Sequence, residues 1–171
     1  RVIASFKVFL ADKGAFGIDD AELFDVLTLA KELGVIVTAH CENETLVAEL
    51  QQKLLAEGKT GPEWHEPSRP VQVEAEGVHH LMTFAELTGA HTYIVHTSCT
   101  EALAAAEQYG AHVVLDDTYA QKSDFEGAKY VMSPPIRARR HQDTLWQAIS
   151  DRRISTVATD HAPFDYHEQK E

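Results

Sequence analysis

The sequence predicts an α/β fold in which a parallel β-sheet is covered by helices. Three observations carry that reading. Short apolar, β-branched runs alternate along the chain with longer stretches of helical period. The short runs are apolar almost without interruption, as strands buried on both faces are. Polar residues of a chemically useful kind then stand at the ends of those runs, at His40, His96 and Asp160.

Residues 2–10 read as a buried strand with Lys7 inside it. Residues 21–33 place Leu23, Phe24, Leu27, Ala30 and Leu33 on one helical face, with Asp20 as the expected N-cap and Gly34 as the stop. A strand follows at 35–39, and a second helix at 42–57 ends on Gly58. Residues 61–70 contain Pro62, Pro67 and Pro70 and are expected to form a loop. A third helix over 71–87 stops near Gly89 and gives way to a strand at 92–95. A short helix over 100–109 leads past Gly110 to a short strand at 112–115. Residues 116–127 are polar and irregular, and 130–132 are extended ahead of the Pro134 and Pro135 break. The pattern closes with a helix over 142–152 and a strand at 155–159. No repeat, low-complexity tract or long linker divides the chain, so residues 1–171 read as one domain.

Charge and composition narrow the function. Against 15 Lys and Arg stand 27 Asp and Glu, a formal charge of −12 over 171 residues, which argues against a nucleic-acid partner. No apolar run approaches the ~20 residues of a membrane span. The two cysteines, Cys41 and Cys99, cannot build a disulfide framework, so a reducing cytoplasm is the expected compartment. Arg1 is no initiator Met, and Lys7 breaks the first apolar run, so no signal peptide is read. The chain is expected to be an internal piece of something longer.

Where the polar residues fall separates a barrel from an open sheet. His40 ends the strand at 35–39, His96 ends 92–95 and Asp160 ends 155–159. In a (β/α)8 barrel the C-terminal strand ends converge on one site, whereas an open sheet spreads them along a crevice. That convergence favours the barrel. Lys7, inside an apolar strand, should snorkel outward or meet a countercharge. Desolvation would leave a neutral amine able to react with carbon dioxide, and the resulting carbamate is an anion that can bridge two divalent ions. With two histidines and a carboxylate this makes a hydrolytic metal site, with zinc as the first expectation.

Each residue alone has a plainer reading: a snorkelling lysine, a hydrogen-bonded core histidine, a carboxylate in a strand-end turn. Four in register point to a metal-site origin. Cys41 and Cys99 are expected to be small buried fillers. His79 and His80 belong on a helix surface, while His65, His91, His112, His141 and His167 receive no role. His161 is read equally as a partner of the site or as packing. Arg137, Arg139 and Arg140 are expected to form a solvated loop.

Several longer stretches resemble the hydantoinase/dihydropyrimidinase family. They are Ser5-Phe6-Lys7-Val8-Phe9-Leu10-Ala11, Val37-Thr38-Ala39-His40-Cys41-Glu42-Asn43 and Ala56-Glu57-Gly58-Lys59-Thr60-Gly61-Pro62-Glu63-Trp64-His65. They continue with Ile94-Val95-His96-Thr97-Ser98-Cys99, Phe125-Glu126-Gly127-Ala128-Lys129-Tyr130-Val131-Met132-Ser133-Pro134-Pro135 and Ala158-Thr159-Asp160-His161-Ala162-Pro163-Phe164. The resemblance implies a metal-dependent (β/α)8 TIM-type barrel of the amidohydrolase superfamily, of which this chain would hold about strands 4 to 8 with their helices. It implies that Lys7 is a carbamylated bridging ligand and that His40 and His96 hold the more exposed metal. Asp160 would bind the buried metal and carry protons, and Ser133 would contact the substrate amide. The implied reaction is hydrolytic opening of a small cyclic amide or imide, a dihydropyrimidine or hydantoin, by a metal-bridging hydroxide. A homo-oligomer, commonly a tetramer, is implied as well.

Three departures accompany the resemblance. The family's His-x-His pair on its first strand does not occur here, so two metals are implied for the complete site and at most one for this chain. Asp12 stands where the family usually has a tyrosine that polarises the scissile carbonyl, a task an ionised carboxylate cannot perform. The stretch between His96 and Ser133 is about a dozen residues shorter, near residues 109–114, which would expose neighbouring strand edges. The alternatives to an enzyme are therefore a non-catalytic dihydropyrimidinase-like scaffold or an inactive truncated remnant.

Overall fold

The structure is a computed structural model, and it describes residues 5–12, 14–106, 121, 127–128 and 131–154. Its elements run β1 (Ser5–Phe9), α1 (Asp20–Leu33), β2 (Ile36–His40), α2 (Glu44–Ala56), a 3-10 turn (Pro62–Trp64) and α3 (His65–Ser68). They continue with α4 (Val71–Thr88), β3 (Thr92–Val95), α5 (Thr100–Ala106) and α6 (Arg139–Ser150). The three strands form one parallel sheet in the order β1-β2-β3. The mixed α/β class and the parallel sheet agree with the sequence. The strands expected at 112–115 and 155–159 lie outside the described residues.

Strand alternation sorts the sheet into two faces. Val8, Ala39 and Ile94 pair across it on one face, and pack in a single core with Leu23, Leu27 and Ala30 of α1, Val78 and Leu81 of α4 and Ala102 of α5. The opposite face carries Lys7, Phe9, Thr38 and His40. The residues that pack and the residues that could react are thus divided by the pleat itself.

Helix boundaries follow local chemistry. Asp19, rather than Asp20, caps α1: its carboxylate accepts from the Glu22 amide at 2.9 Å while the Glu22 side chain accepts from the Asp19 amide. Gly34 and Gly89 end α1 and α4 in the left-handed conformation that glycine adopts freely. Asn43 caps α2 through its bond from the Leu46 amide, so that helix starts at Glu44 and leaves Glu42 outside it. The loop expected over 61–70 is instead largely helical. Pro62 occupies the first position of the 3-10 turn and Pro67 lies inside the four-residue α3, where a missing amide proton breaks no helical bond. Among the described residues no helix is long and apolar enough to cross a membrane.

Candidate metal centre

The parallel register places the candidate ligands at one edge of the sheet. Phe9 pairs with His40 and His40 with Val95, so His96 stands just beyond the next strand's end. Lys7 lies on the rung of Thr38 and Tyr93, and its side chain reaches along the sheet to bring Nζ within 3.4 Å of His96 Nε2. The His40 and His96 rings have centroids 5.7 Å apart. The Lys7 ammonium also lies 4.9 Å from the Phe9 ring centre, and Phe9 stacks at 5.7 Å on His40. His96 holds a positive φ of 59°, a conformation a non-glycine residue adopts at a cost of order 1 kcal/mol or more and that concentrates at working sites.

Three of the five expected site residues therefore meet. Ser133 lies on the segment leading to α6, joined to Pro134 by a cis peptide bond, and no described contact ties it to the other three. Its neighbour Met132 is held through its carbonyl by His65, at 2.9 Å. Asp160, like His161, lies outside the described residues. Among the described residues no group of three His, Cys, Asp or Glu side chains gathers to hold a metal. What does gather is two imidazoles and one amine, a donor set that suits a borderline divalent ion once the amine becomes a carbamate. Lys7 itself is exposed, on the face that carries no helix among the described residues, which fits the outward-snorkelling alternative and not the desolvated amine.

Beneath this cluster lies a buried charge network. Glu42, fully buried, accepts from His40 Nε2 at 2.9 Å and from the Arg69 guanidinium on the same oxygen. Burial alone would raise the Glu42 carboxyl; the His40 hydrogen bond and the charges of Arg69 and Arg137 hold it below the usual carboxylate range. Arg137, expected in a solvated loop, is only 3% exposed. It donates to Glu74 at 3.1 Å, Glu66 at 3.2 Å, Ser98 at 3.2 Å and the Arg69 carbonyl. Glu74 also accepts from the Ser98 amide at 2.7 Å and from its hydroxyl. Burial pushes the Glu74 carboxyl up, against the opposing pull of Arg137 and the Ser98 donors.

Sequence reasoning missed Glu42, Arg69 and Glu74 as parts of this arrangement. A usable signal existed for Glu74: it lies on the apolar stripe Val71, Val78 and Leu81 of α4, where a carboxylate needs a partner. His65 and His141, given no role, make hydrogen bonds to the Met132 carbonyl and to Thr100 respectively, and burial lowers both below the usual imidazole value. Cys41 and Cys99 are free and buried, and burial pushes both thiols up, which leaves them inert fillers as expected.

No family model matches the chain. A D-hydantoinase from Geobacillus stearothermophilus is 41% identical over 181 residues, covering 99% of this chain and 38% of that protein. A D-hydantoinase from Ralstonia pickettii is 39% identical over 99% of this chain and 40% of its own length. Among solved structures, the D-hydantoinase (dihydropyrimidinase) from Thermus sp. superposes with a TM-score of 0.95 and 55% identity, over 98% of this chain and 39% of that one. The chain belongs to the hydantoinase/dihydropyrimidinase family. It spans 38% and 40% of the length of these two curated relatives. An L-hydantoinase from Arthrobacter aurescens, at 23% identity and a TM-score of 0.83, shares the fold. Both alignments run over 181 residues against the 171 of this chain, so the two relatives carry residues that it lacks. The shortened stretch near 109–114 lies outside the described residues.

Proposed function

We propose that the protein is a metal-dependent cyclic amidohydrolase that opens dihydropyrimidine or hydantoin rings by hydrolysis. The observation that carries this reading is the meeting of Lys7, His40 and His96 at one edge of a parallel sheet, on the face that carries no described helix. Helices on one face only suit a sheet that closes into a barrel, and we read the chain as about strands 4 to 8 of a (β/α)8 barrel forming one domain.

Lys7, His40 and His96 would hold one divalent ion, zinc first, with Asp160 belonging to a second. Lys7 would serve as ligand once its ammonium has given up a proton and the free amine has added to carbon dioxide with loss of a second proton, giving a carbamate. The ion, when bound, polarises a ring carbonyl and makes water a stronger acid. Asp160 takes a proton from the attacking water and delivers it to the leaving ring nitrogen. Ser133 orients the ring amide. Phe9, stacked on His40, supplies an apolar wall beside the cluster. A homo-oligomer, a tetramer by family resemblance, in a reducing cytoplasm is the assembly and setting we expect.

Asp12 favours a second reading, a non-catalytic scaffold of the same fold. It replaces the family's tyrosine with a carboxylate, and its Oδ1 lies 4.0 Å from Arg69 Nη2. A second anion at that rim would repel the developing oxyanion. Hydrolysis of dihydrouracil and 5-phenylhydantoin by the zinc-loaded protein tests the choice. Ring opening that disappears in Lys7→Ala and His96→Ala supports the enzyme; a folded, zinc-loaded protein that opens neither ring supports the scaffold.

A further inference from the structure

We infer that Glu42 is a positioning residue: it holds the Nε2 proton of His40 and so leaves Nδ1 as the ring nitrogen that can ligate a cation. The inference rests on the metal-centre reading but is argued from this chain's own hydrogen bonds. His40 Nε2 lies 2.9 Å from Glu42 Oε2, and the Arg69 guanidinium donates to that same oxygen. A guanidinium has donors only, so Oε2 faces both partners as an acceptor. The proton of the His40 contact therefore sits on Nε2. A neutral imidazole carries one N–H, which leaves the lone pair on Nδ1.

Glu42 is placed to do this and little else. It is fully buried, and its own backbone is closely approached by α4 at Gly77, where an added Cβ would stand 2.8 Å from the Glu42 amide nitrogen. Arg69, which neutralises it, is 6% exposed and is itself held by Arg137, whose guanidinium donates to the Arg69 carbonyl and to Glu74. An ion pair of this kind is poor evidence for stability, because apolar residues of similar volume often serve as well or better. Its distinguishing product here is an imidazole with a fixed tautomer and a fixed ring plane. Histidines that ligate metals commonly donate their second N–H to a carboxylate in this way. His96 offers the complementary case: its Nε2 is the nitrogen that faces Lys7 Nζ. The two histidines would thus present different ring nitrogens to one ion.

Long-range proton–nitrogen NMR on the 15N-labelled full chain, without metal, reads the His40 tautomer directly. The expected result is the Nε2–H form in the wild type and in Glu42→Gln, whose amide oxygen can still accept. In Glu42→Leu the tautomers should mix, and the double variant Glu42→Leu/Arg69→Met guards against unfolding by removing both charges. In a chelator competition with zinc, the double variant should bind about 10- to 100-fold more weakly, with Glu42→Gln recovering most of the loss. An Nδ1–H form in the wild type, or an Nε2–H form untouched in the double variant, would overturn the inference. If the tautomer follows Glu42 while the wild-type chain holds no zinc, the metal-centre reading fails and the positioning of His40 by Glu42 stands.

Discussion

Replacing Gly77 by alanine should destabilise the protein, although helix propensity alone argues the reverse. Gly77 lies inside α4, an 18-residue helix, where alanine is favoured over glycine by about 1 kcal/mol. The added Cβ would stand 2.8 Å from the Cys41 carbonyl carbon and from the Glu42 nitrogen, and 3.0 Å from the Glu42 Cα. These are backbone atoms, so no rotamer change relieves the contact, and α4 or the chain leaving β2 must move. Overpacking of this kind costs about 1–3 kcal/mol, and contact with two consecutive backbone units puts it near the top of that range. Setting ~3 kcal/mol of strain against ~1 kcal/mol of propensity leaves a net loss of about 2 kcal/mol. For a chain of this size that corresponds to a fall of roughly 4–8 °C in Tm. Urea unfolding followed by far-UV circular dichroism, at unchanged m-value, measures it. A Gly77→Ala protein as stable as the wild type, or more so, would refute the close approach of α4 to the end of β2.

Other substitutions test other parts of the account. Arg137→Met leaves Glu74 buried without its countercharge and should cost about 3–5 kcal/mol, read from the urea midpoint; a loss under ~1 kcal/mol would place Arg137 in solvent after all. Asp19→Ala removes the side-chain half of the α1 capping box, leaving the Asp19 amide on the Glu22 carboxylate, and should cost ~1 kcal/mol by the same assay. His65 and His141 are held below their ordinary value by burial, so the unfolded chain binds protons more readily than the folded one. Their stabilising share is complete above the unfolded value of 6.5 and is lost as pH falls from there through the folded value. His65→Gln, which keeps a donor for the Met132 carbonyl, should therefore narrow the drop in urea midpoint between pH 7 and the acid side of that window. An unchanged pH dependence would contradict the assignment.

Much of this was legible before any coordinates, because periodicity and glycine placement are local signals. The strands around Val8, Val37 and Ile94 read as apolar runs, and Gly34 and Gly89 marked helix ends because only their backbone makes the left-handed turn cheap. Lys7, His40 and His96 were legible as a group because parallel strands share a C-terminal edge. The Pro62–Ser68 region was misread, since a proline rule that forbids helix interiors says nothing against the first turn. Arg137 was misread for a different reason. Its partners Glu66 and Glu74 lie more than sixty residues away, and a basic run in isolation looks solvated. Glu42 fell between the two cases: it sits two residues after His40 in an apolar strand's wake, but only the fold shows its carboxylate turning back onto the imidazole.

The central claim is that Lys7, His40 and His96 form one half of a metal site. Elemental analysis of metal per chain, on protein purified without chelators or added metal, tests it most directly. About one zinc per chain is expected, lost in Lys7→Ala while the circular dichroism of the variant stays that of the folded protein. A folded wild-type protein that carries no metal would contradict the account and leave a non-catalytic scaffold built on the same parallel sheet.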